Sequence, residues 1–237
     1  MMVNEVSSIK LFRTSEHPCS YISDQNATTI FLDPTTKISQ KLNSALTDKG
    51  FRRSGHLLYK PDCNSCKACI ACRIPVKKFK SKSSFKRILK INQDIRVDVS
   101  SNLNLDESYA LYESYINHRH LDGDMFPATE KQFSAFILEN TDDTIFFKFF
   151  DKEKLIAVSV ADILQDGLSA VYCFYDPVDK RRSLGTYAIL YQIHRVSEQE
   201  RLYLYLGYWI KNCRKMLYKT RFRPLEMLVN NKWVEVN

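Results

Sequence analysis

Apolar positions in the first third of the chain come in short clusters instead of long periodic runs. Ile30-Phe31-Leu32, closed by Pro34, reads as a short strand among loops. Ile38, Leu42, Ala45 and Leu46 then fall at helical spacing, with Gly50 behind them as the expected C-terminal cap. Arg73-Ile74-Pro75-Val76 reads as a further short strand. Phe85, Ile88 and Leu89 return to helical spacing with Ser83 or Ser84 as cap, and Ile95–Val99 alternates as a strand does.

From Leu105 onward the periodic segments lengthen. Leu105–His120 predicts a helix carrying Tyr109, Tyr112, Tyr115 and Ile116 on one side, and Thr129-x-x-Gln132 makes a capping box before Phe133, Phe136 and Ile137. Strands follow at Thr144–Asp151, Leu155–Leu164 and Leu168–Tyr175, the last two joined by the turn Gln165-Asp166-Gly167. Asp176-Pro177 ends the third. A helix over Leu184–Gln199, a strand over Leu202–Leu206 stopped by Gly207, and a basic helix over Ile210–Tyr218 come next. A hairpin, Glu226–Val229 and Trp233–Val236 around Asn230-Asn231, closes the chain. This β-β-β-α-β-α-β order, preceded by two helices, predicts an α+β fold. A soft boundary near residue 100 separates an N-terminal Cys- and Arg-rich region (1–100) from a second region (101–237).

Composition changes the picture through charge. The 237 residues are 44% apolar and 26% charged, ordinary for a globular chain, but the formal net charge is +8. Such a surplus fits a protein that meets phosphates (tRNA, other nucleic acid or an anionic membrane) or simply a basic soluble surface. The run Lys77–Lys90 concentrates seven Lys or Arg without an acid. No apolar run reaches the roughly 20 residues that span a bilayer. The N-terminus, MMVNEVSSIKLF, lacks a secretory pattern, so a cytoplasmic protein with reduced thiols is expected.

The densest candidate chemistry lies in Gly50–Ile74. Cys63, Cys66, Cys69 and Cys72 recur every third residue, with Arg52 and Arg53 before them and Arg73 after. Zinc sites usually take two separated Cys pairs, whereas this spacing is nearer to the C-x2-C-x2-C wrap of an iron–sulfur cluster, with Cys19 as the candidate fourth ligand. The alternative is a tight loop of small residues, with or without zinc. Cys173 and Cys213 read as core residues. Arginine forks bind carboxylates, so Arg52, Arg53 and Arg73 are candidates for an acidic ligand, against ion pairing within the chain. At the start of the 184–199 helix, Ser183, Gly185 and Thr186 expose backbone amides suited to an anion or a polarised carbonyl. Neither the phosphate-binding G-x-x-x-x-G-K nor the dinucleotide G-x-G-x-x-G is present, and no Ser–His–Asp order stands out.

Taken together, Gly50-Phe51-Arg52-Arg53-Ser54-Gly55, Tyr59-x-Pro61-x-Cys63-x2-Cys66-x2-Cys69, Cys19-Ser20-Tyr21, Tyr175-x-Pro177 leading to Ser183-Leu184-Gly185-Thr186, Tyr203–Tyr208 and Lys215-Met216-x-Tyr218-Lys219 resemble the bacterial aspartate/glutamate leucyltransferases, which are similar to the arginyl-tRNA–protein transferases. The resemblance runs nearly the whole chain. It departs at Ser20 and Ile22, where the family usually has Pro and Leu, and at Cys72, a commonly aliphatic position and so a bystander. It implies a cytoplasmic aminoacyltransferase that moves leucine from leucyl-tRNA to proteins beginning with Asp or Glu, without ATP, on an N-acetyltransferase-like second half. Its implied roles are acceptor reading by Arg52, Arg53 or Arg73, and carbonyl binding around Gly185 and Thr186 with Tyr175 or Tyr208 as donor. Ser183, Leu184, Lys215, Tyr218 and Lys219 would contact substrate, tRNA phosphates being gripped by the Lys77–Lys90 run with Lys211, Arg214, Lys215 and Lys219. No unique base stands out: His17 and Asp176 are candidates, with water or the departing ribose hydroxyl as the alternatives. Arginine as the donated residue is the near alternative; a non-enzymatic metal-loop protein that binds nucleic acid or senses redox state is the distant one.

Overall fold

The computed structural model describes residues 9–121, 123 and 125–236. The short apolar clusters of the N-terminal third form β1 (Leu11–Arg13), β2 (His17–Pro18), β3 (Asn26–Ala27), β4 (Thr29–Leu32), α1 (Gln40–Asp48), β5 (Arg52–Ser54), β6 (Leu57–Pro61), β7 (Ile70–Pro75), α2 (Ser83–Ile91) and β8 (Arg96–Ser100). Ser39 caps α1 through the Leu42 amide, and Gly50, at φ +87°, turns the chain out of it. The longer periodic segments form α3 (Leu105–Arg119), α4 (Glu130–Phe133), β9 (Thr144–Asp151), β10 (Lys154–Ile163), β11 (Gly167–Tyr175), α5 (Leu184–Glu198), β12 (Tyr203–Trp209), β13 (Leu225–Val229) and β14 (Lys232–Val236).

One large sheet, in the order β14-β13-β7-β12-β11-β10-β9-β8, organises the molecule, and a smaller one, β1-β4-β6-β5, adjoins it. All pairings in both are antiparallel except β11 with β12, which are joined by the α5 crossover. This β-β-β-α-β unit is the α+β arrangement expected for an N-acetyltransferase-like half. β7, from before residue 100, lies between β12 and β13, from after it. Apolar residues of α5 and Phe85 and Ile88 of α2 bury one face of the sheet. Leu111, Tyr112, Tyr115 and Ile116 of α3 cover the other. A small core of Leu32, Leu46, Phe51 and Leu58 sits under the minor sheet.

Several elements depart from expectation for local reasons. The strand after the cysteines begins at Ile70, not Arg73. β12 does not stop at Gly207 but continues to Trp209, because Gly207 at φ +75° absorbs a register shift against β7. The basic helix expected over 210–218 is a 3-10 helix over Arg214–Arg221, whose only buried residue is Lys219. With no apolar face to pack, it has nothing to hold an α-helix together. Lys82, not a serine, precedes α2, and Ser83 and Ser84 are its first two residues. Thr129 caps α4 through the Gln132 amide, but the Gln132 Oε1 is buried without a partner among the described residues, so the reciprocal half of the box is not made. Asn230 and Asn231, both at positive φ, make the final hairpin turn.

Candidate active site

β11 and β12 pair only at Gly167–Ser169 against Tyr203–Tyr205, and beyond that point they share no ladder. The guanidinium of Arg52, from β5, occupies the gap. Its Nη1 donates to Ser169 Oγ at 3.1 Å and its Nη2 to the Ala170 carbonyl at 2.6 Å. Gly207 is what allows it in: a Cβ there would stand 2.7 Å from Arg52 Nε. Gly207→Ala is therefore expected to cost about 1–3 kcal/mol of stability from backbone strain alone, read as a lower denaturant midpoint, and to displace Arg52. Arg52 is 8% exposed, and among the described residues it has no carboxylate partner.

The other two arginines are committed elsewhere, which corrects their assignment as acceptor-reading residues. Arg53 makes a bidentate pair with Asp162 of β10, Nε to Oδ2 at 2.7 Å and Nη2 to Oδ1 at 2.8 Å, with both side chains 1% exposed. Thr144 Oγ1 donates to the same carboxylate at 2.8 Å. Arg73 donates to Glu226 Oε2 at 2.7 Å, pairs with Asp48 at 3.3 Å and stacks over Tyr203 at 3.5 Å. Both are structural staples: Arg53 ties the minor sheet to the major one, and Arg73 ties β7 to β13 and α1.

At the far end of β11 the chain passes through Ser183, at φ +51°, into α5. The Ser183 carbonyl accepts from the Thr186 and Tyr187 amides at 2.9 and 3.0 Å. That occupies the Thr186 amide and, among the described residues, leaves those of Leu184 and Gly185 as the open donors at the helix start. The Leu184 side chain is core, 2% exposed. Tyr175 lies close against Gly185, where a Cβ would meet its Cε1 at 2.9 Å, and its ring centroid is 4.8 Å from that of Tyr115. Tyr208, the alternative donor, is spent: its hydroxyl donates to the Gly50 carbonyl at 2.7 Å. Asp176 is a poor base. Burial would raise its carboxyl, but Lys154 at 2.7 Å and the Val178 amide outweigh burial and hold it below the usual range. His17 is exposed on β2, its Nδ1 3.0 Å from the Pro18 carbonyl.

Lys219 also differs from expectation. It is 7% exposed, its Nζ donates to the Tyr208 carbonyl, and it cannot grip tRNA from there. Tyr218 beside it is 41% exposed as a residue, yet burial pushes its hydroxyl up, with Cys72, Cys173, Arg52 and Tyr175 as its charged or titratable neighbours. The remaining basic residues do face solvent: Lys77, Lys78, Lys80, Lys82, Lys86, Arg87 and Lys90, with Lys211, Arg214 and Lys215. Lys82 Nζ donates to the Arg221 carbonyl at 3.1 Å and Phe85 stacks on Phe222 at 4.9 Å, so the two basic stretches form one surface.

Cys19, Cys63, Cys66 and Cys69 line a single cavity of about 730 Å³, together with His17, Tyr21, Tyr59 and Tyr208. Burial first, and the neighbouring Cys19, Cys63 and Cys66 next, push the Cys69 thiol up to about 12. The thiols gather without converging: among the described residues no three His, Cys, Asp or Glu are close enough to hold a metal ion. Cys72 stands apart in the core of β7, its Sγ 3.3 Å from the Gly207 carbonyl. Cys213 is buried as expected.

This geometry can be set beside known proteins. Residues 17–87 match the N-terminal model of the arginine-tRNA-protein transferases, and residues 107–229 match the C-terminal one. The chain belongs to the arginine-tRNA-protein transferase family. A protein of Pseudomonas fluorescens (strain SBW25) named aspartate/glutamate leucyltransferase is 47% identical over 99% of this chain and 100% of its own length. Relatives of the same name in Hahella chejuensis and Pseudomonas aeruginosa (strain LESB58) are 47% and 48% identical, each over at least 98% of both chains. Among solved structures, L-PGS from Bacillus licheniformis has a TM-score of 0.47 at 11% identity, covering 85% of this chain and 69% of that one. That likeness is too remote to add to the topology. The N-terminal match takes in β7 and ends within α2, the C-terminal one begins within α3, and β8 falls between them.

Proposed function

We propose that this protein is an aminoacyltransferase that moves leucine from leucyl-tRNA to the α-amino group of proteins beginning with Asp or Glu, marking them for degradation in the cytoplasm. The full-length relationship to relatives named aspartate/glutamate leucyltransferase carries the reading. Arg52 gives the acidic residue a place. Among the described residues, it is the one member of the arginine trio whose fork is not already held by a carboxylate.

The reaction is aminolysis of an ester. The acceptor's neutral α-amine forms a bond to the leucyl carbonyl carbon, the carbon–oxygen bond to the terminal ribose breaks, and the amine's proton passes to the departing ribose oxygen. The Leu184 and Gly185 amides, at the positive end of α5, are suited to the oxyanion of the intermediate, and Tyr175 lies against them. The cavity thiols are read as a wall of the site. A zinc ion or iron–sulfur cluster would require the 63–69 loop to draw in, and metal analysis of the purified protein checks for one; no step above runs through it. The joined basic surface would hold tRNA, with log K falling by about 0.9 for each phosphate contacted as log salt rises.

The test is transfer of labelled residue from leucyl-tRNA and, in parallel, arginyl-tRNA to peptides that begin with Asp, Glu, Asn or Ala. Leucine transfer confined to Asp and Glu is expected. Arginine transfer in its place would move the protein to the other activity of its family, and transfer from neither would sink the reading.

A further inference from the structure

We infer that Arg182 is a positioning residue for the acyl transfer, fastened to three aspartates so that the loop before α5 presents the Leu184 and Gly185 amides to the reacting carbonyl. This rests on reading those amides as the donors to the oxyanion. Arg182 closes the short 3-10 turn Lys180–Arg182, one residue before Ser183, whose backbone stands at φ +51°. A left-handed serine is unfavourable by itself, and among the described residues its side chain makes no capping hydrogen bond that would hold it there. The restraint comes from Arg182. Its Nη1 and Nη2 donate to the two carboxylate oxygens of Asp94 at 3.0 and 2.8 Å, Nη2 also donates to Asp151 Oδ2 at 3.0 Å, and Nε stands 3.5 Å from Asp179 Oδ2. Its main chain is held as well. The fully buried Asn92 donates from Nδ2 to the Arg182 carbonyl at 2.8 Å, and Asp179 Oδ1 accepts from the Arg181 and Arg182 amides at 3.0 and 3.4 Å.

Lys180 and Arg181 beside it are exposed, whereas every nitrogen of Arg182 is engaged and its side chain is 13% exposed, so it faces the protein and not a phosphate. The three acids come from different places: Asp94 from the turn between α2 and β8, Asp151 from the end of β9 and Asp179 from the loop itself. All are at least 39% exposed, so the pairs add little to global stability. What they fix is place. In the proposed reaction the leucyl ester arrives on a tRNA lying on the surface that α2 helps to form, and Asn92 and Asp94 directly follow α2. The clamp therefore holds the amides at a set distance from the helix that meets the donor. A displacement of about 1 Å at such a group costs on the order of a hundredfold in rate.

Steady-state transfer from leucyl-tRNA to an Asp peptide reads this. Arg182→Met is expected to lower kcat by about ten- to a hundredfold, while KM for leucyl-tRNA and the melting temperature stay close to those of the unaltered protein. Asp94→Ala, an exposed replacement that keeps the arginine, should give a smaller loss of the same kind, and the double variant should be no slower than Arg182→Met. Arg182→Lys, charged but without the fork, should recover part of the rate. A raised KM with unchanged kcat, or a salt dependence of KM shallower by about one phosphate contact, would mean that Arg182 meets the tRNA, and overturns the inference. So does an unchanged kcat in Arg182→Met or, should that variant not fold, in Asp94→Ala. Binding of a phosphonate analogue of the tetrahedral intermediate on leucyl-adenosine separates this inference from the reading beneath it. Arg182→Met should weaken the analogue about as much as kcat falls. If the variant binds it as tightly as the unaltered protein does, Arg182 does not place the amides, and the inference alone fails. If the unaltered protein itself binds the phosphonate no better than an amide-linked leucyl-adenosine, the amides do not receive the oxyanion, and the underlying reading fails.

Discussion

Arg53→Met is expected to lower the unfolding free energy by about 3–5 kcal/mol, because it strands a buried carboxylate. Asp162 is 1% exposed, and after the replacement it would retain Thr144 Oγ1 as its good neutral donor, with Asn43 at the limit of 3.5 Å. For a chain of this length the loss corresponds to a melting temperature lower by on the order of ten degrees. Pairing Arg53→Met with Asp162→Leu should recover most of it, since a buried ion pair replaced by apolar groups is often neutral in stability. Thermal and urea denaturation of the three variants check both statements. A single variant that melts with the unaltered protein would mean that Arg53 is free to meet a ligand after all, and would return it to the acceptor site.

That pair also shows where the sequence is legible and where it is not. Alternation and helical spacing are local properties, so β9, β10, β11 and α5 stand where the pattern put them. The final hairpin does too, because Asn-Asn favours the positive φ angles its turn needs. Partner choice is not local. Arg52 and Arg53 are adjacent in sequence, and on a strand adjacent side chains point to opposite faces. One fork therefore enters the gap between β11 and β12 while its neighbour reaches Asp162 of β10. A signal for the second partner was present: Asp162 is a lone acid within the apolar run Leu155–Ile163, and such an acid asks for a buried cation. Lys219 gave no such signal. Among the exposed basic residues around it, nothing but the packed structure distinguishes the one that turns inward. Gly207 misled for the opposite reason: read as a stop, it is a bulge that continues β12 and clears space for Arg52.

Arg52→Met should collapse the preference for acidic acceptors. Truncating one member of a buried, hydrogen-bonded charge pair at an interface costs about 2–5 kcal/mol, so kcat/KM for an Asp peptide should fall by about thirty- to a few thousandfold. The Asn counterpart should lose only what the disturbance of β11 costs every acceptor. The ratio, not the rate, is the diagnostic, because Arg52 also bridges Ser169 and Ala170 and its loss will disturb β11 for every acceptor. A structural effect lowers both peptides together and leaves their ratio standing; loss of a carboxylate contact closes the ratio. Arg52→Lys separates the two further. It keeps a charge in the gap but loses the planar fork, so a preference for Asp over Asn should survive in weakened form while the Ser169 and Ala170 bonds are not both remade. Transfer rates for paired Asp/Asn and Glu/Gln peptides with all three forms measure this. If the Asp-to-Asn ratio of Arg52→Met matches that of the unaltered protein, the acidic residue is read elsewhere, and the gap between β11 and β12 is not the acceptor's subsite.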